Sequence, residues 1–88
     1  MKWYLYILQC NDRSLYTGIT TDIKRRFKEH VSGKGGRFTR SHKPKNILYT
    51  EKHPNRSKAS KREAEIKSWP RIKKLALVKR GLNKKNAA

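Results

Sequence analysis

Acidic residues are scarce in this chain: six Asp and Glu stand against 24 Lys and Arg among 88 residues, a formal net charge of +18. So few carboxylates leave little room for a multi-carboxylate metal cluster or a paired-acid active site. Cysteine is nearly absent, and the lone Cys10 cannot close an internal disulfide. No Cys/His spacing of zinc-finger type exists, which argues against a structural zinc. Long apolar runs are missing as well, as is the basic, apolar and small-residue order of a secretory signal. The expectation is a chain that neither spans a membrane nor enters the general secretory route, at home in a reducing cytoplasm. Apolar residues make up only 34%. At this length one small core is expected, with stability of about 3–5 kcal/mol. The expected organisation is a single domain over residues 1–80 and a frayed basic tail over 81–88.

What is abundant is positive charge. A chain so basic repels itself unless a polyanion attends it, and the balance favours nucleic acid as partner. Charge alone leaves several classes open: an enzyme acting on nucleic acid, a pure nucleic-acid-binding module, and a ribosomal or chromatin component.

Residues 3–9 are aromatic and β-branched and read as a strand covered on both faces. Residues 10–14 carry turn chemistry, and Leu15 to Ile19 resume the alternation, giving a β-hairpin. Thr20, Thr21 and Asp22 are three rival N-caps for a helix in which Ile23, Phe27 and Val31 recur at helical spacing up to Gly33. Residues 32–45, with three glycines and no apolar periodicity, are expected to be a mobile basic loop. A third strand is expected at residues 46–52. A helix should follow from about Ser57, broken at Trp69-Pro70, with a last helix over residues 70–80 ending near Gly81. The order ββαβαα makes an α+β fold, a small, mainly antiparallel three-stranded sheet flanked by helices.

Several polar residues run against this pattern. On the first helix His30 falls inside the apolar stripe and Arg26 on its edge, while Lys24, Arg25, Lys28 and Glu29 take the opposite arc. Taken singly, His30 reads as a hydrogen-bonded core histidine and Arg26 as a snorkelling side chain. Together at i,i+4 they set two phosphate-compatible donors side by side. Glu63 lies between Ala59 and Ile66 on the inner arc of its helix. It either closes an S-x-x-E capping box from Ser60 or, if Ser57 is the cap, lies in the helix interior. Tyr4 and Tyr6 share one face of the first strand, and Tyr16 and Gly18 one face of the second. A strand glycine often marks close approach of another group.

Read together, these residues resemble the GIY-YIG nuclease superfamily, and most closely its short single-domain bacterial branch of UPF0213 type. Tyr4-Leu5-Tyr6 stands in place of the first signature and Tyr16-Thr17-Gly18 in place of the second. Arg26 and His30 match the family's helix, and Glu63 takes the place of its metal-ligand glutamate. Tyr4 replaces the first glycine and Thr17 the middle isoleucine. The similarity runs from about Trp3 to Leu77.

The resemblance implies metal-dependent endonucleolytic hydrolysis of DNA, with branched, single-stranded or damaged forms as candidates, and a role in DNA repair. It implies Tyr6 as general base, kept ionisable by nearby positive charge, with Tyr16 orienting water or phosphate. Arg26 would stabilise the phosphoryl charge, His30 would assist as donor or relay, and Glu63 would hold one Mg2+ or Mn2+ ion. Tyr4 and Gly18 would belong to the structural motif. With no partner domain to select substrate, Lys34, Arg37, Phe38, Arg40 and Lys43 of the basic segment and Lys73 and Lys74 of the last helix become the nucleic-acid contacts. The alternative is a catalytically weak or inactive nucleic-acid binder with this fold, acting with a protein partner or on RNA.

Overall fold

A computed structural model describes residues 1–87, with side chains described through residue 81. The chain runs β1 (Trp3–Cys10), β2 (Leu15–Thr20), α1 (Ile23–Val31), α2 (Arg37–Ser41), β3 (Pro44–His53), α3 (Arg56–Lys67) and α4 (Arg71–Ala87). The three strands form one antiparallel sheet in the order β2-β1-β3. The α+β fold expected from the sequence is therefore the observed one.

Alternation along β1 divides the molecule. Leu5 and Ile7 point to one face, where they pack with Ile66 of α3 and with Leu77 and Val78 of α4. Leu15, Ile19, Leu48, Tyr49 and Trp69 complete this core at its margins. On the opposite face Tyr4, Tyr6 and Leu8 lie across from Thr20, Gly18 and Tyr16 of β2. That face is covered by α1, whose one fully buried residue is His30. Val31, placed in the apolar stripe by its spacing, is instead 53% exposed. The helix turns its polar histidine, not its valine, toward the sheet.

The helix starts are set by Asx caps. Asp22 wins among the three rivals before α1, its carboxylate accepting from Arg25 N at 3.1 Å. Asn55 caps α3 by accepting from Lys58 N at 2.9 Å. Neither Ser57 nor Ser60 is the cap, so Glu63 stands in the helix interior and the capping-box reading is corrected. Pro70 separates the last two helices as expected, and its carbonyl accepts from Lys73 N at 3.1 Å and Lys74 N at 3.3 Å. Beyond that, α4 continues through Gly81, where the spacing had it end. The side chains of the expected tail past residue 81, and Ala88 altogether, lie outside the described residues.

The largest correction concerns residues 32–45. They are not a featureless loop: Arg37–Ser41 form the short helix α2, with Thr39 buried beneath it, and β3 already begins at Pro44. Five residues are too few to show a helical period. The segment is also tied down at its far end, where Asn11 N donates to Lys43 O at 2.8 Å and His42 Nδ1 bonds Asp12.

Candidate active site

The site grows from one close approach in the hairpin. Tyr6 of β1 lies opposite Gly18 of β2, and its ring crosses the glycine so closely that a Cβ there would fall 2.5 Å from the Tyr6 hydroxyl and 3.1 Å from Tyr16 Cε1. Only the missing side chain at position 18 lets Tyr6 lean over β2 toward Tyr16, its ring centroid 6.2 Å away.

Leaning this way brings the Tyr6 hydroxyl within 2.9 Å of Nε2 of His30, and the other ring nitrogen, Nδ1, lies 2.8 Å from Thr39 Oγ1. Thr39 in turn reaches Gly36 O at 3.5 Å, an acceptor only, which assigns the threonine proton to that carbonyl. The imidazole then carries its proton on Nδ1, and Nε2 is left to accept from the Tyr6 hydroxyl. A chain of three donors runs from Tyr6 through His30 to Thr39, with Tyr6 2% and His30 0% exposed.

A second glycine makes room for it. A Cβ at Gly35 would fall 2.1 Å from His30 Nδ1 and 2.8 Å from its Cα. The Gly35 carbonyl accepts from Arg26 Nη2 at 3.1 Å, while Arg26 Nη1 donates to Glu29 at 3.0 Å. Arg26, one turn before His30 on α1, is thereby held beside Tyr6 with about a third of its side chain open to solvent.

Burial decides the protonation states. It pushes the His30 ring down to about 4, with the Arg26 charge acting the same way and Glu29 against it. It pushes the Tyr6 hydroxyl up to about 12, aided by Tyr16 and Glu63 and opposed by Arg26. The expectation that positive charge keeps Tyr6 readily ionised is therefore corrected: Arg26 is the right group in the right place, but desolvation outweighs it. At neutral pH the pair is a neutral tyrosine bonded to a neutral histidine.

Glu63 is near enough for its charge to act on Tyr6, and its side chain is 22% exposed. Lys67 Nζ stands 3.4 Å from Oε2. Among the described residues no three His, Cys, Asp or Glu side chains cluster to cage an ion. A single partly exposed carboxylate suits a hard cation that keeps most of its water, as Mg2+ and Mn2+ do, so the donor set fits the ion that the family resemblance implies.

The remaining predicted residues divide. Lys34, Arg37, Arg40 and Lys43 are exposed around α2, and Arg37 and Arg40 flank a shallow surface cleft of about 360 Å3. Phe38 is not a free stacking platform: its ring lies 5.7 Å from Tyr16 and is stacked on His42 at 4.4 Å, leaving 37% of the residue exposed. Lys73 and Lys74 belong to α4, which packs on the sheet face away from Tyr6, and Lys73 lies over the Trp69 ring at 4.4 Å. Tyr4 lies on the Tyr6 face, half-buried opposite Thr20. Thr39, Gly35 and Glu29 were not singled out by sequence. A glycine nine residues after Arg26 gives no signal of its own, because the contact exists only once α1 has turned back on the chain.

The antiparallel β2-β1-β3 sheet gathers two tyrosines, an arginine and a histidine on one face with a lone glutamate near them, residue types suited to handling a phosphodiester. The chain matches the GIY-YIG catalytic domain over residues 2–76, and it belongs to the GIY-YIG family. Within that family it is similar to short UPF0213 proteins. One from Streptococcus sanguinis is 47% identical over 78 residues, covering 89% of this chain and 90% of the relative, and one from Cupriavidus necator is 51% identical over 74 residues, covering 84% and 80%. Two solution NMR structures share the fold. A UPF0213 protein from Bacillus halodurans superposes with a TM-score of 0.58 at 46% identity, and a protein from E. faecalis with 0.63 at 40%; each comparison covers 90% of this chain and 84% of the other. Among the described residues no helix is long and apolar enough to cross a membrane.

Proposed function

We propose that this chain is a metal-dependent endonuclease that hydrolyses phosphodiester bonds of DNA, including branched, single-stranded or damaged forms. The observation that carries this reading is the Tyr6 hydroxyl bonded to His30 Nε2, with the Arg26 charge near enough to act on it. A tyrosine pushed up to about 12 is a poor base by itself. It can still pass protons: as the attacking water yields a proton to the Tyr6 oxygen, Tyr6 yields its own to His30 Nε2, and no free phenolate forms. A ring at about 4 is a weak acceptor, but an incoming phosphate brings negative charge to its side and raises it. Arg26 stabilises the charge that gathers on the phosphoryl oxygens as the new P–O bond forms and the bond to the leaving oxygen breaks. Tyr16, half-exposed beside Tyr6 and 4.9 Å from the His30 ring, orients the water or the phosphate. Glu63 would hold a Mg2+ or Mn2+ ion. When bound, that ion supplies Lewis-acid polarisation of a phosphoryl oxygen and neutralises charge at the leaving group.

A second reading, a nucleic-acid binder with little or no turnover, is favoured by one observation: Tyr6 is 2% exposed, with its hydroxyl committed to His30. The two separate in one experiment. Purified protein and Glu63→Gln are given labelled duplex, single-stranded and branched DNA, with an RNA control, in Mg2+ and then Mn2+. The nuclease reading predicts metal-dependent cutting that the variant loses while binding persists. Tight binding without cutting in either protein contradicts it and leaves the binder.

A further inference from the structure

A cleft of about 280 Å3 opens on the solvent side of Arg26, walled by Trp3, Thr21, Arg25 and Arg56. These four residues lie outside the site just described, and Arg26 and Glu29 line both. Arg25, the third residue of α1, and Arg56, the first of α3, both line this opening, so two guanidiniums from different helices face it beside Arg26. Carboxylates nearby are already engaged: Glu29, also on the wall, bonds Arg26, and Asp22 caps α1. Among the described residues neither Arg25 nor Arg56 has a carboxylate partner. The guanidinium of Arg56 lies over the Trp3 ring, 5.6 Å from its centroid. An arginine set over an indole can still offer its N–H groups to a phosphate.

We propose that this cleft is a second phosphate subsite, gripping with Arg25 and Arg56 the phosphodiester that neighbours the scissile one on the same nucleic-acid strand, with Trp3 as the positioning residue for Arg56. The inference rests on the nuclease reading of the Tyr6 site, because Arg26 is the wall the two share. A strand lying across Arg26 then meets the guanidiniums of this cleft as well as the Tyr6 site.

Binding without cleavage tests it. Anisotropy of a fluorescein-labelled single strand and of the matching duplex is followed over a salt series in EDTA, for wild type, Arg25→Gln, Arg56→Gln and the charge-matched control Lys24→Gln, which does not line the cleft. Each arginine variant is expected to weaken binding and to reduce the slope of log K against log salt by about 0.7 for the single strand and about 0.9 for the duplex, with the control unchanged. Trp3→Leu should weaken binding alone but add nothing on top of Arg56→Gln, because it acts through that side chain. In Trp69→Phe, which leaves Trp3 as the only indole, the single strand should change the emission. Arginine variants that behave like the control, or emission that stays unchanged under saturating strand, overturn the subsite while leaving the nuclease reading intact. Wild type that binds neither strand nor duplex overturns both.

Discussion

Nε2 of His30 accepts from the Tyr6 hydroxyl at 2.9 Å, with the histidine fully buried and the tyrosine nearly so. A histidine so placed is at once the plug of the sheet face and the proton acceptor of the tyrosine. Stability and chemistry are therefore expected to change together when it is altered.

His30→Ala should destabilise the fold by about 2–4 kcal/mol, since it opens a cavity and strands the hydroxyls of Tyr6 and Thr39. Urea denaturation measures this. A cost below about 0.5 kcal/mol would mean that the buried chain through Thr39 is not formed.

Acid should act through the same ring. The folded protein holds His30 at about 4, below its ordinary 6.5, so between those values the unfolded chain binds more protons. Stability contributed by the neutral ring is complete above about 6.5 and falls as the pH drops toward 4, by on the order of 2–3 kcal/mol. Denaturation midpoints from pH 8 to pH 4 should show this loss, and NMR titration of the ring should find it neutral at pH 5.5. A ring that titrates near 6.5 contradicts the assignment.

Two glycines should tolerate no methyl. In Gly18→Ala the new Cβ meets the Tyr6 hydroxyl, and in Gly35→Ala it meets the His30 ring and backbone. Each should cost about 1–3 kcal/mol. Gly35→Ala should be the worse, because the backbone of α1 cannot swing aside as a tyrosine ring can. Thermal melts of the two variants give the order.

Much of this fold was legible because its signals are local. Alternation gave the hairpin, the spacing of Ile23 and Phe27 gave α1, and Trp69-Pro70 gave the break before α4. What escaped was set by tertiary contact. Thr39 looked like one polar residue in a glycine-rich basic segment, and its burial depends on α2 folding back onto His30. The Asn55 cap was hidden by two serines of equal local merit. That Tyr6, Tyr16, Arg26 and His30 come together could be read from the pattern, but the direction of the Tyr6 shift could not, because desolvation is a property of the packed face and the sequence displayed only the positive charge.

Arg26 and the basic segment should separate in kinetics. Arg26→Ala is expected to slow single-turnover cleavage by about 10²–10³-fold, as loss of a charge-stabilising donor does. Replacing Lys34 and Arg37 together should instead weaken binding and flatten its salt dependence with the chemical step little changed. The reverse pattern would move the strand away from α2.

In the proposed reaction the Tyr6 hydroxyl takes a proton from the attacking water as it yields its own to His30. Tyr6→Phe keeps the ring over Gly18 and removes only that hydroxyl, so the most direct measurement is its single-turnover cleavage of branched DNA in Mn2+, beside wild type, with binding followed in parallel. A rate lower by about 10²–10⁴-fold at unchanged affinity is the predicted result. Equal rates for the two proteins would contradict it and leave Tyr6 a packing residue.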